Sequence, residues 1–501
     1  MIRKRRVLPG AAVAVMLWLS ACGNLDVDPH LPGPGDVLDT PDELMEASAT
    51  LYRDWFNAAH AVKGPYLMLA TAADRLTTTE DLAAARDMAL EPRQPFNNDS
   101  DYPYMYVTED FWRTSYQVVL LANDILRAME DKEKIYYEQQ DVKPMLTAWA
   151  YFIRGIGYGY LGLLFDQANI VDVHSPLPVL EFSDYRKVVA FAERSLDTAI
   201  VVAGSHSFEL PASFLNGVTM DAGGLAALAA SYEARLLASW PRNGADMQFV
   251  NWQKILQRSQ EGVTTGFYPV TDNDIWRDEA RQYLISPRWG GLDLRVIHLL
   301  DDRFPAHWPA DNSSWETPDG TAPDSSYLRS NDARAVTDIE WLAEDHVGTP
   351  YYLNTFYRLK RYDEWAPDAS GPVPELTVTE NLLLQAEALV HTGRSAEAVA
   401  LLNNGTRVSR GHLPPLNSEA AEKEVLDAIF YEREMELTAT GLGLSFFDMR
   451  RRDLLQKGTP LHLPVPGKEL EIMGLPVYTY GGVDNADGLN TSAGGWEEPE
   501  Q

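Results

Sequence analysis

Helical periodicity is the feature that most constrains how this chain folds. Apolar residues recur every three to four positions in segments spread along most of the sequence, which is the spacing of one face of an α-helix. Pro41 fits the first position of a helix, and Thr40 with Glu43 forms the Thr-x-x-Glu pattern of a capping box in front of it. Further helices are predicted at 112–129, from 144 onward, and at 185–202, 223–239, 252–264, 378–392, 395–407 and 420–439. The sequence therefore predicts an all-α fold.

The stretch ENLLLQAEALVHTGRSAEAVALLNNGTR predicts two helices joined by a tight turn. Gly393 lies in the turn, and Ser395 is expected to cap the second helix. Small and apolar side chains line the facing sides of both helices, which resembles the pairing in tetratricopeptide repeats. No strict repeat of this kind recurs elsewhere in the sequence, so we expect a scaffold of degenerate tetratricopeptide-like helical pairs.

The helix predicted from Pro144 contains an unusual number of glycines, at Gly155, Gly157, Gly159 and Gly162. Glycine costs a helix up to about 1 kcal/mol per position, so four of them need an explanation. One interpretation is that neighbouring helix backbones approach closely at these positions. The alternative is a distorted or broken helix.

The periodicity changes between residues 266 and 376. Pro, Asp, Ser and Trp replace the helical pattern there, and six of the 13 tryptophans of the chain lie between 276 and 365. A long irregular segment in a compact protein is usually functional or disordered, and disordered segments contain few aromatic residues. We therefore expect this large loop-rich region to be ordered.

The N-terminus has the layout of a bacterial export signal. Residues 3–6 are all basic, and residues 7–21 are mainly apolar but too few for a comfortable membrane span. The apolar run ends in Leu-Ser-Ala-Cys, which resembles a lipobox and contains Cys22, the only cysteine of the chain. We expect residues 1–21 to be a lipoprotein signal peptide, Cys22 to be lipidated, and the Pro-, Gly- and Asp-rich residues 22–39 to be a tether. The alternative is an ordinary signal peptide with an incidental cysteine.

The chain is strongly acidic, with 73 Asp and Glu against 42 Lys and Arg and a net charge of −31. Such a surface is repelled by nucleic acid and by anionic membranes, so we expect no nucleic-acid partner and no membrane contact other than the lipid anchor. No nucleotide-binding, zinc-protease or serine-hydrolase motif occurs in the sequence, and we predict no catalytic residue, no metal site and no cofactor. Glu432 and Glu436 lie four positions apart beside Arg433, and we expect a structural role for them rather than a catalytic one.

Two segments combine aromatic and polar side chains in the way that sugar recognition requires. Aromatic faces stack on the C–H faces of pyranose rings, while Asp and Asn side chains bind the hydroxyl groups. The segments FNNDSDYPYMY and HWPADNSSWETPDG both offer this mixture. The candidate ligand-binding residues are Asn98, Asp101, Tyr102, Tyr104, Trp308, Asp311, Asn312 and Trp315. The tyrosines would point the same way if their segment is extended, and the alternative for each aromatic residue is that it pins a long loop to the scaffold.

The C-terminal third carries a series of motifs in a specific order. The stretch YEREMELTATGLGLSFFDMRRRDLL, followed by LPVPGKEL, resembles the SusD/RagB family of nutrient-binding outer-membrane lipoproteins. The matching positions are Arg433, Glu436, Leu437, Gly443, Phe446 to Arg451, Leu463 to Pro466, Glu469 and Leu470. Upstream, TAWAYFIRGIGYGYLGLLF and AEALVHTGRSAEAVALLN are similar to two further family segments. The sequence departs from the family pattern at 442–445, where Leu-Gly-Leu-Ser replaces Glu-Gly-x-Arg, so we expect altered local packing at this turn.

The resemblance implies a tetratricopeptide-like helical scaffold with a large irregular ligand-binding face. It implies a lipid-anchored protein on the outer surface of the outer membrane, where it would bind an oligosaccharide or another oligomeric nutrient. The partner would be a TonB-dependent, SusC-like β-barrel transporter, and the protein would perform no catalysis. Asp26 and Asp28 resemble the surface-export signals of such lipoproteins, or they are ordinary tether residues.

The predicted organisation is a SusD-like N-terminal helical region at 40–265, an irregular Trp-rich ligand face at 266–376, and a SusD/RagB-like helical region with a tail at 377–501. Two other functions stay open at this point. One is a repeat scaffold that binds only a protein partner. The other is a surface glycosidase, which would need a pair of carboxylates about 5–10 Å apart in a cleft.

Overall fold

The computed structural model describes residues 38–78, 82–176, 178–179, 181–286, 290–308, 328–342, 355, 357–365 and 367–496. The predicted signal peptide, Cys22 and all but the last two residues of the tether lie outside these ranges. The same holds for three of the candidate ligand-binding residues, namely Asp311, Asn312 and Trp315.

Helices dominate the described residues, as the periodicity predicted. The α-helices are α1 (Pro41–Ala59), α2 (Pro65–Ala72), α3 (Ala83–Ala89), α4 (Tyr106–Met129), α5 (Lys143–Leu164), α6 (Tyr185–Gly204), α7 (Ala222–Ser239), α8 (Trp252–Glu261), α9 (Glu279–Ile285), α10 (Leu294–Leu300), α11 (Arg334–Thr337), α12 (Val378–His391), α13 (Ser395–Asn404), α14 (Thr406–Ser409), α15 (Glu422–Glu436), α16 (Leu444–Arg451) and α17 (Gly467–Ile472). Among the described residues, no helix combines the length and the apolar character that crossing a membrane requires.

The strands are short and pair two by two into antiparallel ladders. The pairs are β1 (Leu76–Thr78) with β9 (Gly290–Leu292), β2 (Tyr136–Tyr137) with β3 (Gln140–Asp141), β4 (Gln167–Asn169) with β5 (Phe182–Asp184), β6 (Glu209–Leu210) with β7 (Met220–Asp221), β8 (Val270–Thr271) with β12 (Gly371–Pro372), and β10 (Ile339–Trp341) with β11 (Tyr357–Leu359). These ladders close loops between helices, and the fold is therefore a helical scaffold, as predicted.

Helix α5 runs through the centre of the scaffold and explains the glycines in its sequence. A Cβ atom at Gly157 would lie 2.5 Å from Val119 Cγ1 on α4, and one at Gly155 would lie 2.6 Å from Leu196 Cγ on α6. At Gly162 the nearest atom would be 2.8 Å away, again on α6. The helix is continuous over Lys143–Leu164, so close helix approach is the correct interpretation and a broken helix is wrong.

The helix ends agree with the sequence at α1 and differ at α13. Thr40 and Glu43 form the predicted capping box, with hydrogen bonds in both directions. Ser395 does not cap α13, because it is the first residue of that helix and Arg394 stands in the capping position without a side-chain bond to the helix. The helix predicted at 395–407 is divided into α13 and α14, since Gly405 adopts an extended conformation between them.

The region at 266–376 is less irregular than its sequence suggested. Its described residues include α9, α10, α11 and five of the short strands. Trp276, Trp308 and Trp365 are all buried in the hydrophobic core. These three tryptophans therefore hold the connections between short elements on the scaffold.

The C-terminal motifs are joined by buried ion pairs. Asp448 of the FFDMRR segment accepts a hydrogen bond of 2.6 Å from Arg433 Nε on α15. Arg451 donates to Asp448 as well and binds both carboxylate oxygens of Glu387 on α12, at 2.6 and 2.8 Å. Three of the motifs that carry the family resemblance are thus parts of one contact network.

Arg450 is fully buried and binds no carboxylate in the described residues. Its guanidinium donates to the backbone oxygens of Leu163 and Leu461 at 2.9 Å each and of Ser239 at 2.8 Å. Leu163 and Ser239 lie at the ends of α5 and α7, where carbonyl groups lack partners within the helix. Arg450 therefore joins Leu461, two residues before the LPVP segment, to two helix ends.

Glu432 and Glu436 have the structural role that the sequence suggested. Arg334 Nη1 lies 2.8 Å from an oxygen of each glutamate, and Arg334 also pairs with Asp332. All four side chains are buried. The two glutamates therefore anchor α11 to α15 and are fully engaged.

Candidate functional site

The first predicted sugar-binding segment and Trp308, from the start of the second one, both lie near the antiparallel ladder β1–β9. The segment at 96–105 leads into α4 and contacts α3, which packs beside β1. Trp308 follows α10 and bonds to Asp293, the residue directly after β9. We call the surface formed by β1, α3, residues 96–105, β9 and residues 293–308 the loop face.

Asn98 holds the loop face against the C-terminal part of the chain. Its Nδ2 donates to the backbone oxygens of Val465 and Tyr478 at 3.0 and 2.9 Å, and its Oδ1 accepts from Gly467 N at 3.1 Å. A Cβ at Gly467 would lie only 2.0 Å from the Asn98 backbone oxygen, so this contact requires glycine. Asn98 is buried, and its amide is fully used within the protein.

The tyrosines of this segment differ in their surroundings. Tyr102 is buried, and its hydroxyl donates to Asp87 Oδ2 on α3 at 2.5 Å. Burial, together with this carboxylate, raises the pKa of the Tyr102 hydroxyl. Tyr104 is half-buried and packs edge-on against Tyr102, with ring centroids 5.3 Å apart. Asp101 is exposed.

The segment at 97–105 is folded into turns and is not extended. Tyr102 N donates to Asp99 O, Met105 N donates to Tyr102 O, and Asp99 N bonds to the side chain of Asn97. The extended backbone that would point the tyrosines the same way is therefore not present. The Asn-Asn-Asp-Ser-Asp composition was a signal for this outcome, because Asn and Asp side chains bond to nearby backbone groups and favour turns.

Trp308 is a buried part of the loop face, and its indole nitrogen is hydrogen-bonded within the protein. The Nε1–H donates to Asp293 Oδ2 at 3.1 Å, and the other oxygen of Asp293 caps the start of α10 at Arg295 N. Burial raises the pKa of Asp293 to about 7, and the neighbouring Asp74 carboxylate adds to this shift. The side chain of Trp308 thus fixes the loop that leads away from α10.

Sequence reasoning did not find the cluster of acidic residues around Asp293. Asp74 accepts a hydrogen bond of 2.5 Å from Arg93 Nη2, and Glu91 accepts one of 2.7 Å from Gln456. Burial raises the pKa of Glu91, and the charge of Asp74 raises it further. These residues are far apart in the sequence and share no local motif, so only the fold brings them together.

Two buried arginines connect the base of the loop face to α15. Arg75 Nη1 and Arg295 Nη2 lie 2.7 and 3.0 Å from the same oxygen of Glu434. Burial lowers the pKa of Arg75 to about 10, although Glu434 opposes this shift. For Glu434, burial raises the pKa, but the two arginines outweigh burial and the pKa is lowered overall. The ladder β1–β9 is therefore held on a rigid, charge-paired support.

One group of carboxylates elsewhere has oxygens close enough to hold a cation, formed by Glu193, Asp197 and Glu233. Lys254 Nζ already lies 2.6–2.9 Å from an oxygen of each of them. Arg258 pairs with two of the three as well. The geometry is that of an ion-pair cluster between α6, α7 and α8, and it needs no added metal.

Comparison with known proteins agrees with the fold and places a family match over the C-terminal motifs. Residues 297–487 match the SusD family. A SusD-like carbohydrate binding protein from Bacteroides fragilis has a similar structure, with a TM-score of 0.57 and 15% identity over 82% of this chain and 86% of that chain. A SusD homolog from Bacteroides thetaiotaomicron has a TM-score of 0.56 and 12% identity over 89% and 98% of the two chains.

A SusD superfamily protein from Parabacteroides distasonis has a TM-score of 0.56 and 14% identity, over 86% of this chain and 96% of that chain. No curated protein matches the sequence significantly. The similar structures share the fold at low identity, and the matched region contains the C-terminal motifs that the buried ion pairs connect. Residues 297–487 therefore resemble the SusD family in sequence, and the chain has the fold of SusD-like proteins.

Proposed function

We propose that this protein is a lipid-anchored surface protein that captures a glycan or another oligomeric nutrient for a TonB-dependent outer-membrane transporter, without catalysis. The observation that carries the proposal is the fold, which 82% of this chain shares with a SusD-like carbohydrate binding protein. The lipobox-like sequence that ends at Cys22 supports anchoring at the outer membrane. The net charge of −31 favours a neutral ligand over a polyanion.

Within the loop face, we assign different tasks to the candidate residues. Tyr104 and Asp101 would contact the ligand, because their side chains retain exposed surface. Asn98, Tyr102 and Trp308 would position the loops, because each is buried with its polar atom engaged in the protein.

Three further candidates follow from the sequence alone, namely Asp311, Asn312 and Trp315. We propose that they extend the ligand-binding surface beyond Trp308. Their mixture of one aromatic ring with carboxylate and amide groups matches the needs of a sugar.

Isothermal titration calorimetry of the purified protein against a panel of oligosaccharides tests the binding function. We expect saturable binding of at least one of them and a roughly fivefold loss of affinity in Tyr104→Ala, since a stacked aromatic ring contributes about 1 kcal/mol. Tyr136→Ala is the matched control, because Tyr136 is 58% exposed on β2, outside the loop face. Equal affinities in both variants would contradict the role of Tyr104.

The absence of catalysis is tested on the same samples. Each oligosaccharide that binds is incubated with the protein, and its reducing ends are measured over time. A constant number of reducing ends is expected for a capture protein. An increase that depends on the protein concentration would favour the glycosidase instead.

Anchoring and transport are tested in cells. The mature protein is expected to begin at a diacylated Cys22, which intact-mass measurement detects, and Cys22→Ser is expected to leave the membrane fraction. Uptake of the bound glycan should fall in Cys22→Ser although the purified soluble domain still binds it. An unmodified Cys22 in the mature protein would contradict the lipid anchor and would support an ordinary signal peptide.

A further inference from the structure

A second cleft lies between the start of α6, the 3-10 helix Gly244–Phe249 and the C-terminal residues 462–490. Its volume is about 440 Å³, within the range of roughly 300–1,000 Å³ that is usual for small-ligand sites. None of the residues that define the loop face lines it. The binding function proposed above therefore leaves this cleft without a role.

Two large apolar side chains on the rim of the cleft are exposed to solvent. Phe249 is 67% exposed and Leu489 is 66% exposed, and both line the cleft. They come from segments about 240 residues apart in sequence, so the fold places them at one site. An exposed aromatic ring beside polar groups is the arrangement that stacks on the C–H face of a sugar ring.

The floor of the cleft contains a histidine with a fixed tautomer. Asn490 Nδ2 donates to Asp487 Oδ2 at 2.9 Å, so Asn490 presents its Oδ1 to His462 Nε2 at 3.2 Å. Nε2 must then carry the proton, and Nδ1 is an acceptor that has no hydrogen-bond partner in the described residues. Burial, with the nearby Arg242 and Arg450, keeps the pKa of His462 well below its usual value, so the ring is neutral.

Tyr480 is held rigidly against this histidine. Its hydroxyl donates to Asp166 Oδ2 at 3.1 Å, and its ring meets the His462 ring edge-on with centroids 4.7 Å apart. On the other side of the cleft, Arg186 is about half exposed, although it pairs with Asp246 at 2.9 Å. The cleft thus combines fixed rings with hydrogen-bond donors and acceptors, as a preorganised site does.

The charges of the cleft disfavour an anionic ligand. Three carboxylates line it, at Asp166, Asp184 and Asp246, against two guanidinium groups, at Arg186 and Arg242. In addition, both Nη groups of Arg242 donate hydrogen bonds to backbone oxygens at the end of α5. A phosphate or sulfate group would therefore meet a net negative site, whereas a neutral polyhydroxyl compound would meet matching donors and acceptors.

We propose that this cleft is a second carbohydrate-binding site, which takes one or two rings of a neutral saccharide with Phe249 as the stacking platform. The site goes beyond the proposed function, because it requires neither transport nor the loop face.

The segment Tyr478–Tyr480 lies between the two sites. Its backbone bonds to the loop face through Asn98 and Phe96, and its tyrosine hydroxyls bond to Asp166 of the cleft.

Saturation-transfer-difference NMR on the protein with maltose, cellobiose, lactose and sucrose tests this site, since the method detects weak binding. We expect at least one disaccharide to bind and Phe249→Ala to weaken its Kd roughly tenfold. Val201→Ala is the matched control, because Val201 is another exposed apolar residue, 65% exposed on α6 and outside the cleft. Thermal melting of both variants should match the unmodified protein, since both side chains are exposed.

Tyr104→Ala separates the cleft from the loop face. If Phe249→Ala weakens binding of a disaccharide and Tyr104→Ala does not, the cleft is a site of its own. If Tyr104→Ala abolishes all binding and Phe249→Ala leaves the Kd unchanged, the cleft inference is overturned while the proposed function stands. Binding of none of the four disaccharides also overturns the inference.

Discussion

Two regions of this molecule pack their helices by opposite means. Around α5, glycines let α4 and α6 approach until the Cβ of an added side chain would lie 2.5–2.8 Å from its neighbour. Around α16, fully buried Arg450 and Arg451 fill the space between helices and bind carbonyl and carboxylate oxygens. The first region should tolerate changes in pH but not in side-chain volume. The second should be sensitive to the loss of any single charged partner.

The largest effect is expected from Arg451→Met. Methionine retains much of the side-chain volume but leaves Glu387 buried without its bidentate partner, and breaking such a pair costs about 3–5 kcal/mol of unfolding free energy. Urea denaturation measures the loss. The control is Arg113→Met, which removes an ion pair that is more than half exposed and should change stability little. Similar losses in both variants would remove the contrast between the two regions.

A smaller loss of unfolding free energy is expected when His60 is deprotonated. His60 lies between Asp278 and Glu375, at 3.2 and 2.9 Å, and these carboxylates outweigh burial and raise its pKa to about 9. Because the folded pKa is above the unfolded value, the stabilisation is complete below about pH 6.5 and disappears as the pH rises through about 9. We expect up to about 3 kcal/mol of unfolding free energy to be lost across this range.

The measurement is urea denaturation at several pH values between about 6.5 and 9, with His60→Gln as the control. The glutamine variant should be less stable at the lower pH, and its stability should vary less with pH than that of the unmodified protein. A pH dependence that persists in His60→Gln would show that another group causes it.

The smallest effect is expected from alanine substitutions within α5. Gly157→Ala should cost about 1–3 kcal/mol, because the new methyl group would collide with Val119 on α4. Gly159→Ala is the matched control in the same helix, since its nearest neighbour, Leu236 Cδ1, would lie at 3.4 Å. Gly159→Ala should leave the free energy of unfolding unchanged or raise it by up to about 1 kcal/mol, because alanine favours a helix more than glycine does. Equal thermal stabilities of the two variants would mean that α4 moves away easily.

Much of the helical scaffold was predictable because its signals are local. The capping box at Thr40 and the periodicity of α6, α7 and α12 gave helix ends within one or two residues of those observed. The predicted start at 112 was too late for α4, which begins at Tyr106. There the Tyr-Pro-Tyr stretch obscured the periodicity of the first turns.

The loop face was less predictable because its contacts are long-range. Composition identified Tyr102 and Trp308 as candidates, but not that their polar atoms are bonded to Asp87 and Asp293. The pairing of Arg75 with Glu434 joins residues 359 positions apart, for which a single sequence holds no signal. The cleft near Phe249 depends in the same way on three distant segments.

The three hydrogen bonds of Asn98 also have a consequence for the order of folding. They join residue 98 to backbone groups 367–380 positions later in the chain. Contacts of such separation form late, because the chain between them must first be brought together. An N-terminal fragment would therefore contain the aromatic residues at 102–106 without the means to hold them in place. A chain shortened before Val465 should lose the shape of its loop face even if its helices still form.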